Sequence, residues 1–453
     1  MASAGPTTAP ADTPNAADTP LLEVRDLRTH FPLRGTFLQR VVGRETGSVK
    51  AVDGVSFQLR KGEVLGLVGE SGSGKTTLGR TILRLADATA GSVLVDGRDV
   101  ARLGEREFRP YRRRIQMVFQ DPHASLNPAM DLLTAIGHPL KIHGLARSAD
   151  AVREAVASAL ERVGLTPVEL FMRKYPSDLS GGQKQRAVIA RAIILGPDLL
   201  IADEPVSMLD MSVRAKILEL MLELKDELDL TYVYITHDLA TAKFFCDRVA
   251  IMYLGRIVET GPTAEIFANP RHPYTEALLK AVPDPDPERT VPRDVPRGEV
   301  PDAVNPPLGC SFHPRCPRAF EVCGWETRDL KELLETRAAG MDDGARDGRL
   351  GDLSRLAQPS LSAVVPPARG HHAGEVLEEL TRLRSTAPDE RLWSGVRSMR
   401  ASDDGATVDF HEPIDPPLLP EGPVSVACHL YDARALEAAR RAAAAAEEVS
   451  GRR

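Results

Sequence analysis

Long apolar runs are missing from this chain of 453 residues, and so is a strong excess of basic charge. No stretch of about 18 or more apolar residues occurs, so no membrane-spanning helix is predicted. Lysine and arginine total 57 against 64 acidic residues, and the resulting net charge of -7 argues against a nucleic-acid partner. Residues 1–20 have neither a basic segment nor an apolar core. We therefore expect a disordered leader rather than a signal peptide, and a chain that stays in the cytosol.

Cysteine is scarce as well, with five in the whole chain. In a cytosolic protein this argues against a disulfide framework. Cys310, Cys316 and Cys323 are clustered, and clustered cysteines in such proteins more often bind metal. Cys246 stands in an apolar, helix-like segment and is predicted to be a core residue.

Short apolar runs alternate with helical patterns from residue 21 onward. The runs at 63–68, 199–202 and 232–236 are typical of buried parallel strands, and 213–228 has a helical pattern. Such alternation predicts an α/β fold with a parallel core. Residues 121–195 are mostly helical in pattern and are predicted to form a subdomain inserted in that core.

The composition changes after the core. Residues 283–307 are dense in proline and acidic residues, which predicts a linker or an extended segment. Residues 330–420 show helical patches and loops without recognisable chemistry, and the alanine-rich tail predicts an exposed helix. The predicted domains are a leader at 1–20, the core at 21–271, an extension at 272–432 that contains the insertion 330–420, and the tail at 433–453.

A glycine-rich motif, GESGSGKT at residues 69–76, follows the first buried run. It matches the phosphate-loop pattern, in which glycines let backbone N–H groups surround phosphate oxygens, a lysine adds a cation and a hydroxyl reaches Mg²⁺. A glycine-rich surface turn is the alternative. The predicted ATP-binding residues here are Gly69, Ser71, Gly72, Gly74, Lys75, Thr76 and Thr77.

Two carboxylates end the second buried run. A strand that ends in a carboxylate and accompanies a phosphate loop is the arrangement of the nucleotide-hydrolysing P-loop enzymes. Asp203 is predicted to hold Mg²⁺ through water, and Glu204 to polarise the attacking water as general base. An ordinary acidic helix cap is the alternative for this pair.

A serine with two glycines, in LSGGQ at residues 179–183, opens a helical run and offers a second anion site at a helix N-terminus. Together with the phosphate loop, this motif resembles the signature of ABC ATPases. The resemblance implies two ATP molecules sandwiched between two subunits, each held by the phosphate loop of one subunit and the signature of the other. The residues that would contact ATP across that dimer are Ser180, Gly181, Gly182, Gln183 and Asp210.

The resemblance extends to further positions. Gln120 matches the glutamine that senses Mg²⁺ and links the site to membrane subunits, and His237 matches the histidine that contacts the γ-phosphate. Asp210 ends a segment that has Met208 where the family more often has alanine. Phe31 is the candidate for stacking on adenine, with a strand-edge core residue as the alternative.

Three segments narrow the resemblance to one group of ABC importers. They are DPHASLNP at 121–128, NPRHPYT at 269–275 and GCSFHPRC at 309–316, and together they look like the ATPase subunits of dipeptide, oligopeptide and nickel importers. The first two most resemble the second ATPase of the pair. This implies ATP-driven peptide import at the cytoplasmic face of the membrane. The implied partners are a sister ATPase, two permease subunits and an extracytoplasmic substrate-binding protein. Nickel or oligosaccharide import, a soluble ABC ATPase of DNA repair or translation, and a regulatory ATPase that only binds nucleotide are the alternatives.

The same resemblance implies a role for the cysteines. In relatives, four cysteines at the positions of Cys310, Cys316, Cys323 and Cys428 ligate a [4Fe–4S] cluster. Structural zinc suits four thiolates equally, and no metal is the third possibility. The stretch before Cys428 is longer than in the family by something like 80 residues, which leaves the fourth ligand open.

Overall fold

A computed structural model of the chain describes residues 19–33, 47–281, 299–339 and 348–450, with side chains only to 442 in the last range. Nearly all of the predicted leader, and residues 283–298 of the predicted linker, lie outside these ranges. The chain divides into two compact units, one from residues 1–29, 53–65 and 76–235, the other from residues 30–52, 66–75 and 236–453. None of the described helices has the length and apolar character needed to cross a membrane.

Parallel strands form the centre of the first unit. Ile115–Val118 pairs with Leu199–Asp203, which pairs with Thr231–Thr236. Every residue of the last two strands is buried. Parallel strands covered on both faces are built from continuous apolar runs, which is why the sequence revealed them. A second, antiparallel sheet joins Leu22–Pro32 to Ala90–Val95 and Arg98–Asp99.

Helices fill the remainder of the first unit, and most of them lie where the sequence predicts a helical subdomain. Ser148 and Ser180 cap two of these helices by accepting the backbone N–H of Ala151 and Gln183, a strong signal for where a helix begins. The α-helices between residues 75 and 228 are Lys75–Ile82, Glu105–Arg114, Pro122–Ser125, Leu132–Ile142, Ala149–Arg162, Val168–Met172, Gly181–Ile193 and Met211–Leu228. The predicted boundaries of the subdomain remain a prediction.

Antiparallel strands form the sheet of the second unit. Arg248–Tyr253 pairs with Arg256–Pro262, which pairs with Val424–Val426, and the last of these pairs with Leu419–Glu421. Three further helices pack in this unit: Leu239–Phe245, Thr263–Ala268 and Pro273–Lys280. Two strands, Ser48–Leu59 and Val64–Val68, run from the residue range of one unit into that of the other.

The insertion contains a sheet that the sequence did not reveal. Its three strands lie in the order Ser362–Val365, Gly405–Phe410, Val396–Ser402, all antiparallel. Helices Thr327–Ala339, Ala373–Thr386 and Leu392–Gly395 accompany them. The expectation of helical patches and loops was therefore incomplete. The strand sequence VRSMRAS has little of the apolar alternation that identifies a half-buried strand.

The insertion nevertheless buries a hydrophobic core, in which Leu330, Leu380, Trp393 and Val408 pack together with Trp325 of the preceding segment. A segment of this length that buries a shared core is a folded part of the second unit rather than a long loop. The predicted tail helix is present as Ala433–Ser450.

Candidate functional site

The glycine-rich loop follows the fully buried strand Val64–Val68. Gly72 and Gly74 have φ angles of +80° and +98°, a region that residues with a Cβ rarely adopt. At Gly69 and Gly74 a Cβ would also overlap the carbonyl oxygens of Met252 and Ala51. The loop conformation thus requires glycine at these positions, while Ser71 and Gly72 are exposed at its tip.

Lys75 is buried beneath this loop, with only 5% of its surface exposed. Its Nζ donates to the carbonyl oxygens of Gly69 and Glu70, 2.8 and 2.9 Å away, and to Ser73 Oγ at 3.3 Å. A buried ammonium needs such partners. The sequence analysis did not identify Ser73 as a contact of Lys75. The only indication in the sequence was a hydroxyl side chain two residues before the lysine.

A hydroxyl and a carboxylate meet in the first unit. Thr76 Oγ1 donates to Asp203 Oδ1 at 2.9 Å, and Asp203 is the last, buried residue of strand Leu199–Asp203. Thr76 and Asp203 are distant in sequence, so their contact is a product of the fold. Thr77 follows in the same helix and is half-buried.

Glu204 has a strained backbone, with φ of +46°. A residue other than glycine rarely adopts this conformation, and it costs on the order of 1–3 kcal/mol. Three contacts hold it: Glu204 N–H donates to Ile235 O at 2.9 Å, and the Glu204 carbonyl accepts from the N–H and hydroxyl of Ser207. Gln120 Nε2 donates to Glu204 Oε2 at 3.0 Å, which joins two predicted residues directly.

The signature segment begins helix Gly181–Ile193. Ser180 Oγ accepts from Gln183 N–H, while Gln183 Oε1 accepts from Ser180 N–H at 3.1 Å. This reciprocal cap fixes the first turn and leaves Ser180 and Gly181 exposed to solvent. At Gly182 a Cβ would come within 2.7 Å of Val213 Cγ1, so the close approach of the next helix requires glycine.

Asp210 caps that next helix, Met211–Leu228, by accepting from Val213 N–H at 3.0 Å and from Ser212 Oγ at 2.8 Å. The hydrogen bond from Val213 N–H is the main reason why the pKa of Asp210 is lowered. The neighbouring Met208 and Met211 are 62% and 85% exposed.

Two candidates lie at strand ends in the second unit. His237 directly follows Thr231–Thr236 and is exposed, and the next residue, Asp238, caps helix Leu239–Phe245. Phe31 is 44% exposed near the end of Leu22–Pro32. It is therefore not a buried core residue, and its ring has free surface.

The four clustered cysteines line one small cavity of about 10 Å³, together with His272 and other residues of the second unit. Burial raises the pKa of Cys316 to about 11 and that of Cys323 to about 12, and also raises the pKa of Cys310 and Cys428. His272 is buried and its Nε2 has no hydrogen-bond partner. Within the described ranges, however, no group of three or more His, Cys, Asp or Glu side chains is arranged so that it could hold a metal ion.

Strand pairing places Cys428 close to the other three cysteines despite the long insertion. Val426 pairs with Glu259, and Ala427 N–H donates to Val258 O at 2.8 Å. On the other side, Cys310 N–H donates to Cys323 O at 2.9 Å. Cys428 therefore lines the same cavity as the other three cysteines, and its role as a metal ligand remains a prediction. Cys246 is buried elsewhere in the core, as predicted.

Comparison with known families matches two regions of the chain. Residues 52–207 match the ABC transporter family, and residues 258–323 match the oligopeptide/dipeptide transporter C-terminal region. The second region includes the three clustered cysteines.

Individual relatives match over a longer range. A putative peptide import ATP-binding protein of Brucella ovis is 46% identical over 316 residues, which is 70% of this chain and 95% of the relative. The oligopeptide transport ATP-binding protein AppF of Bacillus subtilis is 48% identical over 315 residues, 69% of this chain and 94% of the relative. Among solved structures, an ATP-binding cassette dimer in a post-hydrolysis state with ADP and Pi has a TM-score of 0.47 at 28% identity, covering 53% of this chain and 98% of that one.

Proposed function

Because the chain belongs to the ABC transporter ATPases that carry the oligopeptide/dipeptide transporter C-terminal region, we propose that its hydrolysis of ATP drives peptide import. The observation that carries this proposal is the presence of both family regions in one chain. The relatives described above, which are named for peptide import or transport, support it. Nickel and oligosaccharides are the competing substrates.

The loop at residues 69–75 binds the phosphates of ATP. Backbone N–H groups at its tip, where Ser71 and Gly72 are exposed, can donate to an anion without a large rearrangement, because the glycines already hold the turn. Lys75 Nζ bonds to three loop oxygens. Phosphate oxygens replace some of these acceptors when ATP binds, so the ammonium stays paired in both states.

Thr76, Asp203 and Gln120 provide the oxygens for Mg²⁺. Thr76 Oγ1 and Asp203 Oδ1 lie 2.9 Å apart, so the hydroxyl that would bind Mg²⁺ lies beside the carboxylate that would hold the ion through water. When bound, Mg²⁺ supplies positive charge to the phosphates of ATP.

Glu204 acts as the general base. Its carboxylate accepts from Gln120, so the residue proposed to sense Mg²⁺ also orients the proposed base. The strained backbone at Glu204 supports this role, because such strain is concentrated at functional sites. The exposed His237 is positioned at a strand end, where it can contact the γ-phosphate.

A second ATPase subunit completes each ATP site. The exposed N-terminus of helix Gly181–Ile193 and the neighbouring Asp210 are available to a partner's nucleotide. Phe31 stacks on adenine with its exposed ring. We propose a heterodimer with a sister ATPase, bound to two permeases at the cytoplasmic face of the membrane and served by an extracytoplasmic binding protein.

The four cysteines would hold a [4Fe–4S] cluster in this proposal only after a rearrangement, because within the described ranges they are not arranged to hold a metal ion. The chemistry of the side chains supports the cluster, since four thiols and the unpartnered Nε2 of His272 surround one cavity. That cavity of about 10 Å³ is the size of one water molecule, so the segment has to open for a cluster to enter. Anaerobic purification with iron and sulfide analysis tests the proposal. Four irons per chain are expected, whereas one zinc or no metal would reject the cluster.

The test of peptide import is isolation of the detergent-solubilised native complex through an affinity tag on this chain, with mass spectrometry of all retained proteins. We expect two permeases, a sister ATPase and a binding protein that retains peptides. If the binding protein instead retains nickel or an oligosaccharide, that compound and not a peptide is the imported substrate. Recovery of soluble repair or ribosomal proteins alone would reject the transport role.

A further inference from the structure

Glu70 is the second residue of the phosphate loop, and three contacts hold it. Its carbonyl accepts from Lys75 Nζ at 2.9 Å, and its backbone N–H donates to Tyr274 Oη at 2.9 Å. Its carboxylate accepts two hydrogen bonds from Arg315, at 2.9 and 3.2 Å. Two of the three contacts therefore come from the C-terminal region that matches the oligopeptide/dipeptide transporter family.

The Arg315 side chain is packed as well as paired. It is 9% exposed, whereas the Glu70 side chain is 30% exposed. Its guanidinium carbon lies 5.9 Å from the ring centroids of both Tyr253 and Phe312, and Nη1 donates to Tyr253 Oη at 3.4 Å. A two-pronged guanidinium–carboxylate pair in a shielded setting is directional and stronger than an exposed one.

The cysteine segment fixes the backbone of Arg315. The residue ends a single helical turn, His313–Arg315, which lies between two cysteines. His313 N–H donates to Cys310 O at 3.0 Å, and Cys316 N–H donates to His313 O at 3.1 Å. Movement of either cysteine backbone therefore moves the turn that carries Arg315.

We propose that Arg315 is a positioning residue for the phosphate loop, and that it makes ATP affinity depend on the conformation of the cysteine segment. It acts through Glu70, whose carbonyl oxygen accepts a hydrogen bond from the Lys75 ammonium, as do Gly69 and Ser73 of the same loop. The inference rests on the proposed role of this loop in binding phosphate. Without Arg315 the Glu70 carboxylate loses both side-chain hydrogen bonds from that residue, and the loop around Lys75 is less restricted.

The test measures the dissociation constant of a non-hydrolysable ATP analogue with Mg²⁺ for the full chain. Arg315→Ala and Glu70→Gln should each weaken binding about tenfold, or about 1.4 kcal/mol. The double variant should be no weaker than the worse single variant, because both changes remove one interaction. Arg318→Ala is the matched control, since Arg318 lies in the same segment and pairs instead with Glu276. It should bind within about twofold of the wild type.

Steady-state ATPase measurements on the assembled transporter provide the second readout. Loss of a contact that positions the phosphates in ground and transition state alike raises KM more than it lowers kcat. Wild-type affinity in Arg315→Ala, or additive effects in the double variant, would overturn the proposal. If Arg315→Ala does not fold, affinities of two other variants test the proposal. Arg315→Lys keeps the charge but not the paired hydrogen bonds, and Glu70→Gln leaves the cysteine segment intact. Wild-type affinity in both would overturn the proposal. Failure of the wild-type chain to bind the analogue would instead reject the proposed role of the loop.

Discussion

Replacing Glu204 by glutamine should change the rate of ATP hydrolysis far more than it changes the free energy of unfolding, so a chemical role of this residue can be told apart from a structural one. Glutamine keeps the volume, the N–H bond to Ile235 and the carbonyl bonds to Ser207. Its amide oxygen can still accept from Gln120. The change in unfolding free energy should therefore stay within about 0.5 kcal/mol.

The chemical effect is larger. Removing a general base costs about 10²- to 10⁴-fold in rate, or about 2.7–5.5 kcal/mol at the barrier. We expect kcat of the assembled transporter to fall by this factor, while the dissociation constant of the nucleotide and the thermal midpoint stay unchanged. Glu223→Gln is the control, because Glu223 is an exposed carboxylate on helix Met211–Leu228. A kcat for Glu204→Gln within threefold of the wild type would remove Glu204 from the role of base.

Three further changes address other parts of the chain. Thr76→Ala removes the hydroxyl that donates to Asp203 and should raise the Mg²⁺ concentration for half-maximal ATPase activity about tenfold or more, measured by Mg²⁺ titration. Cys428→Ser should abolish the iron content and visible absorbance of anaerobically purified protein, because it removes one of the four thiols around the cavity. Gly395→Ala would place a Cβ against the Trp325 side chain and should destabilise the second unit by about 1–3 kcal/mol, measured by thermal melting.

Each of these predictions has a matched control and a contrary outcome. Thr76→Ser keeps the hydroxyl and should retain the wild-type Mg²⁺ requirement; an equal shift in both variants contradicts the metal role. Cys246→Ala removes a buried thiol outside the cavity and should keep the iron, so equal loss points to general misfolding. At Gly348 nothing lies within 4 Å of an added Cβ, and Gly348→Ala should melt like the wild type.

The parallel strands and the nucleotide motifs were predictable because their signals are local. Leu199–Asp203 is a continuous apolar run that ends in a carboxylate, and such a pattern has few other interpretations. The phosphate loop and the signature are short motifs in which each residue type has a mechanical reason. The motifs identified candidate residues, whereas the roles of those residues stay predictions until they are measured.

Contacts between distant residues were beyond the sequence. The hydrogen bond between Gln120 and Glu204 and the pair formed by Glu70 and Arg315 join segments with no common pattern. The strands of the insertion were missed for another reason. Asp409 is buried among Ser362, Ser398 and Arg400, so polar residues occupy positions where alternation predicts apolar ones.

The antiparallel pairing of Val424–Val426 with Arg256–Pro262 has a consequence for the chain entropy of the cysteine segment. About a hundred residues separate Cys323 from Cys428, and closing a flexible loop of that length would oppose the approach of the fourth thiol. Many of those residues instead fold around a core that also includes Cys323 and Trp325. The burial of that core offsets part of the ordering cost, and because Cys323 belongs to it, the packing of the insertion also holds one of the thiols that line the cavity.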